Sequence, residues 1–251
     1  MVKMIMHGCN GAMGQVISKI VEEDENITIA AGIDVNDTIQ NSYPVFPSLE
    51  ACTVEADVIV DFASAKAVNG LLSYCSEKRI PVVVCTTGLS EEQIQLVEET
   101  SRQVAVLRSA NMSLGINLLL KLVKEAAEVL AESDFDIEIL EKHHNKKVDA
   151  PSGTALALAD SINEAMDNHY HYQYDRSQTR EKRQKDEIGI QAIRGGSIVG
   201  EHDVIFAGQD EVITFQHTAY SKAIFAKGAV SAAKFLAGKE PRLYTMADVI
   251  G

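Results

Sequence analysis

The chain has 251 residues, enough for one large domain or two modest ones. It is 46% hydrophobic and 24% charged, close to the globular average, which excludes a disordered or collagen-like chain. Its 23 Lys and Arg against 36 Asp and Glu leave a formal net charge of −13, which argues against binding nucleic acid through a whole-surface positive field.

In chain order, Val2–His7 reads as a strand, residues 8–14 as a glycine-rich turn, and 12–23 as a helix with Met13, Val16, Ile17 and Ile20 at helical spacing. Ile27–Ile33 and 58–62 read as strands, 65–78 as a helix, 81–85 as a strand, 91–102 as a helix and 104–107 as a strand. Strands that are nearly continuous apolar runs, alternating with helices, belong to a parallel sheet buried on both faces. The period then changes. A long helix is predicted over 113–131, a strand at 135–139 and a helix at 155–166. Residues 168–187, rich in charge and poor in aliphatics, are expected to form a surface loop. Three β-like runs follow without helices between them, at 188–193, 198–207 and 212–218, which is the pattern of antiparallel pairing. A helix over 222–237 closes the sequence. No apolar run reaches the roughly 18 residues that cross a bilayer, and the apolar part of the N-terminus is too short for a signal peptide. Four cysteines, Cys9, Cys52, Cys75 and Cys85, lack CxxC spacing and suit reduced thiols in a soluble, cytoplasmic protein without a disulfide framework or zinc ribbon.

Chemistry first shows at Gly8-Cys9-Asn10-Gly11-Ala12-Met13-Gly14, between the first strand and the first helix. Glycines there allow a tight turn and let backbone approach a pyrophosphate seated on the helix N-terminus. The spacing is GxxGxxG, one residue longer in its first step than the dinucleotide fingerprint. Asp34, 20 residues beyond Gly14, ends the second strand, where an acid accepts hydrogen bonds from ribose hydroxyls. Cys85-Thr86-Thr87-Gly88 and Ser109-Ala110-Asn111-Met112 follow later strands and fall on the same rim, beyond the carboxyl ends of the sheet. The expected class is therefore α/β, with an N-terminal Rossmann-like, doubly wound parallel sheet and a second, α+β domain carrying a mixed or antiparallel sheet.

The densest chemistry lies at Lys142-His143-His144-Asn145-Lys146-Lys147, followed by Val148-Asp149-Ala150-Pro151-Ser152-Gly153-Thr154. Histidine titrates near neutrality and lysine is a strong cationic donor, so the block can move protons while neutralising an anion. Ser152, Gly153 and Thr154 are expected to offer unpaired backbone N–H groups at the first turn of the next helix, a second anion-binding device. Two such devices in one loop suit a substrate with two carboxylates. The bland alternative is a solvated basic loop. No HExxH or Cys/His cluster points to a metal. His169 and His171 read as solvated, His202 and His217 as packing or supporting groups in strands, and His7 receives no role.

The run from Glu141 to Ala155 closely resembles the signature of the 4-hydroxy-tetrahydrodipicolinate reductase family, the dihydrodipicolinate reductases. The resemblance spans essentially the whole chain, including the GxxGxMG opening, the turn at Thr86–Gly88, the stretch 110–117 and the stretch 194–202. It implies NAD(P)H-dependent reduction of a cyclic dicarboxylate in lysine and diaminopimelate biosynthesis. It implies a dinucleotide-binding domain over 1–112, to which the tail 227–251 returns, and a substrate-binding and oligomerisation domain over 113–226. By the same resemblance His143 is the proton donor and acceptor and Lys147 the proton donor. His144, Gly153 and Thr154 hold substrate carboxylate, and residues 8–13, Asp34, Cys85–Thr87 and 109–112 touch the cofactor. Members are usually homotetramers, joined through the second domain's sheet.

Three departures bear on the cofactor. Ala12 stands where members often carry Arg, Val35 stands where NADPH-binding members have Arg after the acid, and Cys85 replaces a common Gly. With no cation beside Asp34, NADH is expected to serve at least as well as NADPH. The competing readings are another two-domain NAD(P)-dependent dehydrogenase of amino-acid metabolism and a non-catalytic dinucleotide-sensing protein. Residues 141–155 disfavour the first, and the lack of a helix-turn-helix or basic stripe disfavours the second.

Overall fold

The apolar runs of the first hundred residues are strands buried on both faces, and successive side chains feed two separate helix layers. The computed structural model describes residues 1–109 and 111–251, so Ala110, an expected nucleotide contact, lies outside the described residues. The elements are β1 (Val2–His7), α1 (Ala12–Glu22), β2 (Ile27–Ile33), β3 (Val45–Phe46), β4 (Val58–Asp61), α2 (Val68–Lys78), β5 (Val82–Val84), α3 (Glu91–Ser101), β6 (Val106–Arg108), α4 (Leu114–Leu130), β7 (Asp136–His143), α5 (Gly153–Ala165), β8 (His171–Tyr174), β9 (Glu187–Arg194), β10 (Gly200–Ala207), β11 (Val212–Ala219), α6 (Ala223–Leu236), β12 (Leu243–Tyr244) and α7 (Met246–Ile250). Two units result, Met1–Leu114 with Ala223–Gly251, and Gly115–Lys222.

The first unit holds a seven-stranded sheet in the order β12-β6-β5-β4-β1-β2-β3, with every pairing parallel. Met4, Met6, Val58 and Val60 pack against α1 and α6, while Ile5, Ile59, Val82 and Val84 pack against α2 and α3. From β1 the chain runs outward to β2 and β3, then returns to β4 on the other side. The strand order thus reverses between β1 and β4, and ligand crevices in such sheets open beyond the carboxyl ends at that reversal. The edge strands β3 and β12 have two residues each, too few to show a period in the sequence.

The second unit is a five-stranded sheet in the order β11-β10-β7-β9-β8. Ile137, Ile139, Ile188, Ile190, Val204 and Phe206 line one face, under Leu119, Val123 and Ala127 of α4 and Leu158, Ala159 and Ile162 of α5. Two sequence expectations are corrected here. The charged stretch 168–187 is not wholly loop. It contains β8, which pairs with β9 while the Tyr172 hydroxyl donates to Asp160 at 2.6 Å. Arg183 ties the stretch down through Asp136 at 2.8 Å and Glu138 at 3.0 Å. Nor are the last three long strands simply antiparallel in sequence. β10 pairs antiparallel with β11 and with β7, but β9 runs parallel to β7 and to β8, because β7 inserts between β9 and β10. Among the described residues no helix is long and apolar enough to cross a membrane.

Candidate active site

In the first unit the glycine turn is held by its own geometry. Gly8 has φ +83, a left-handed conformation, and a Cβ there would meet the Phe62 carbonyl at 2.9 Å. Gly11 caps α1 without any side-chain hydrogen bond, so the helix N-terminus keeps the amide groups and dipole that suit an anion. Asp34 faces this turn and fixes it. Its carboxylate accepts from the Asn10 amide at 2.9 Å and from the Asn36 amide at 2.9 Å. The Asn10 side chain binds the Asn36 carbonyl and accepts from Asn41 at 2.8 Å. The Cys9 side chain is buried against Gly32, and burial, helped by Asp34, pushes its thiol up to about 11. Cys9 therefore offers a ligand only its backbone, whereas Ala12 is exposed and Met13 half-buried at the start of α1.

A cavity of about 460 Å³ opens at the reversal of strand order, lined by Gly8, Gly11, Asp34, Val35, Ser48, Glu50 and Phe62 among others. His7 lines it too, and its Nδ1 lies 2.8 Å from Oδ1 of the fully buried Asp61 at the end of β4. The other oxygen of Asp61 accepts from the Thr86 hydroxyl at 2.7 Å. Thr86 is thereby drawn toward the sheet. Cys85 is buried, which raises its thiol far above the ordinary range. The Ser109 hydroxyl donates to the Asn111 carbonyl at 2.8 Å. Met112 is packed into the core, so only its backbone is placed to meet a ligand.

In the second unit, β7 alternates strictly, with Ile137, Ile139, Glu141 and His143 on the buried face. His143 is therefore on the side of the sheet that the helices cover. Its Nδ1 lies 2.7 Å from Glu141 Oε2, and its ring meets that of His202 edge-on with centroids 5.1 Å apart. Lys142 points the other way, to Glu201 at 3.0 Å and Asp203 at 3.3 Å, and these partners raise its pKa. Lys147 is mostly shielded and pairs with Asp149 at 2.8 Å, which lowers the Asp149 pKa. Among the described residues Nδ1 of His144 is buried and has no hydrogen-bond partner.

Ser152 caps α5, its hydroxyl accepting from the Ala155 amide at 3.2 Å and meeting His202 Nε2 at 3.0 Å. The expectation that Ser152 presents an unpaired N–H is corrected, because that amide donates to Glu141 Oε1 at 2.9 Å. Gly153 and Thr154 form the first turn of α5 beyond it. Glu141 and Arg194 received no role from sequence reasoning. Arg194 binds Glu141 at 2.6 Å across 53 residues of chain, and the one local signal was an acid at an apolar position of an alternating strand.

Burial, reinforced by the neighbouring His143, lowers the His202 pKa to about 4, with Glu141 opposing. The folded value lies below the unfolded value of about 6.5, so the unfolded state binds more protons between them and stability falls as pH drops through that window. Against His202→Gln, the wild type is expected to lose about 2 kcal/mol more on going from pH 7.5 to pH 5. Parallel losses in urea titrations at the two pH values would contradict a buried, neutral His202.

Comparison with known proteins gives a consistent result. A family model described as the N-terminus of dihydrodipicolinate reductase matches residues 2–112, and one for its C-terminus matches residues 115–250. A 4-hydroxy-tetrahydrodipicolinate reductase from Caldanaerobacter subterraneus subsp. tengcongensis is 52% identical over 250 residues, covering 100% of this chain and 98% of that protein. One from Clostridium tetani is 49% identical over 246 residues, covering 98% and 96%. A solved structure, a dipicolinate-bound dihydrodipicolinate reductase from Paenisporosarcina sp. TG-14, superposes with a TM-score of 0.83 at 26% identity, covering 100% of both chains.

Proposed function

Since the chain belongs to the dihydrodipicolinate reductase family, we propose that it reduces 4-hydroxy-tetrahydrodipicolinate, by way of dihydrodipicolinate, to tetrahydrodipicolinate in lysine and diaminopimelate biosynthesis. The observation that carries this reading is the shielded His143 and Lys147 beside the N-terminus of α5, in a chain matched over its full length by named reductases.

The substrate is a small cyclic dicarboxylate. One carboxylate suits the first turn of α5, where Gly153 and Thr154 bring backbone N–H groups and a hydroxyl, and the resemblance adds His144 to that carboxylate site. Lys147 exchanges its Asp149 partner for substrate and supplies positive charge and a proton as the ring becomes electron-rich. His143 moves the proton of the loss of water that precedes the hydride step, so each of the two groups handles one proton. A bound dihydronicotinamide dinucleotide supplies the hydride. The residues fit such a group: Gly8 to Met13 would cradle a pyrophosphate at α1, Asp34 would meet the ribose, and Thr86, Thr87, Ser109, Asn111 and Met112 would border the rim.

The finer assignment is NADH at least as efficient as NADPH. Asp34 and Glu50 both line the cavity at this end of the sheet, and among the described residues no Lys or Arg does. A 2′-phosphate there would face two carboxylates. The test is substrate-dependent oxidation of NADH and NADPH at one ionic strength. Comparable or higher kcat/KM with NADH is expected. A tenfold preference for NADPH overturns the cofactor assignment, and no turnover with either overturns the function.

We further assign a homotetramer built on the second sheet. The face opposite the helices carries Leu140 and Ile205 with the more exposed Ile193 and Val212, apolar surface that suits cover by a second copy.

A further inference from the structure

Glu141 touches neither substrate nor cofactor in the reading above. Its side chain is nonetheless fully buried and its carboxylate accepts four hydrogen bonds. Arg194 gives two, at 2.7 Å to Oε2 and 2.6 Å to Oε1. The Ser152 amide gives a third, and His143 Nδ1 lies 2.7 Å from Oε2. Arg194 also donates to the Asp149 carbonyl at 2.6 Å, two residues beyond Lys147. One carboxylate thus joins the strand bearing His143, the cap of α5 and, through Arg194, the end of the lysine loop.

Burial alone would raise the Glu141 pKa, but the hydrogen bonds from Arg194, His143 and Ser152 bring it below its ordinary value. An ionised carboxylate has no proton to donate, so the hydrogen shared with His143 belongs to Nδ1. A second observation concerns the opposite ring nitrogen. A Cβ on Gly200 would stand 3.1 Å from His143 Nε2, so the clearance on that side depends on residue 200 having no side chain. The His202 ring holds the imidazole from its edge. Neutralising Arg194 requires none of this.

We propose that Glu141 is a positioning residue that fixes the proton of His143 on Nδ1 and leaves Nε2 as the nitrogen that exchanges a proton with substrate. The assignment rests on the reading of His143 as the proton-handling group. In the transfer the Nε2–H bond of the imidazolium breaks as the new bond to substrate forms. The product is neutral imidazole with Nδ1–H on Glu141, which water reprotonates. In Glu141→Gln the amide can keep its oxygen on the Ser152 amide, while its NH₂ faces Nδ1 and drives the ring to the opposite tautomer.

Two measurements on the full-length protein test this. In ¹⁵N-histidine NMR spectra of the wild type, neutral His143 is expected to carry its proton on Nδ1. A neutral Nε2–H ring overturns the proposal whatever the enzyme's activity. In steady-state assays, Glu141→Gln is expected to lower kcat by roughly 10–100-fold, the scale on which partners that orient metal-bound imidazoles from behind count. The substrate KM is expected to stay within about threefold, since the lost interaction acts in the transition state. A kcat within about threefold of wild type, or a rise confined to KM, overturns it. If the variant does not fold, the tautomer measurement decides. A wild type that shows no turnover removes the functional reading alone.

Discussion

Lys147→Ala is expected to lower kcat by about 10²–10⁴-fold, the range for loss of a general acid. The physical basis is local. Lys147 is the one lysine of the basic block that is both shielded and paired near the cap of α5, whereas Lys146 is exposed and Lys142 is committed to Glu201 and Asp203 on the opposite face. Its Asp149 partner is more than half exposed, so exchanging that ion pair for one with substrate carries only the small energy of a solvated surface pair. With Ala, the substrate loses a cation where negative charge develops, and the substrate KM rises as well. Dissociation constants for NADH should stay within about twofold, because the glycine turn belongs to the other unit. A fall in kcat below tenfold would remove Lys147 from the mechanism and turn attention to Lys146.

The second large effect is expected at Gly14. A Cβ there lies 2.3 Å from the Gly8 carbonyl oxygen and 2.5 Å from that of Cys9, both backbone atoms with no rotamer to yield. Gly14→Ala must push α1 away from the turn. Overpacking of this kind costs about 1–3 kcal/mol, which thermal unfolding will register. The first-turn amides of α1 would move off a pyrophosphate, and hydrogen bonds to a charged group are worth about 1.5–3 kcal/mol, so NADH affinity measured by calorimetry should fall by about 10–100-fold. Unchanged affinity in a folded Gly14→Ala protein would mean that the turn does not cradle the dinucleotide.

Much of the fold was legible because its signals are local. β1, β4 and β5 are short apolar runs that could only be strands buried on both faces, and α1 follows its glycine turn directly. What escaped depends on distant partners. β8 carries Tyr172 and Tyr174 among charges, and becomes a strand only because β9 lies beside it. The parallel pairing of β7 with β9 is invisible in sequence order, since β9 and β10 look like consecutive hairpin arms until β7 separates them. The site divides similarly. The residues from 142 to 154 advertise themselves by composition. His7 with Asp61, and Glu141 with Arg194, are pairs 54 and 53 residues apart, and neither member stands out alone.

The placement of β7 also governs how this site can change. The strand lies inside the sheet, with its register set from both sides by β10 and β9. Alternation puts Glu141 and His143 inward and Lys142 outward, so inserting or deleting one residue within the strand exchanges the two sets at once. Lys142 would enter the apolar layer, and the carboxylate and imidazole would leave it together. Substitutions can be tried here one position at a time, but length changes cannot. In this stretch, a change in length leaves the two sets in place only if it falls in the flanking turns.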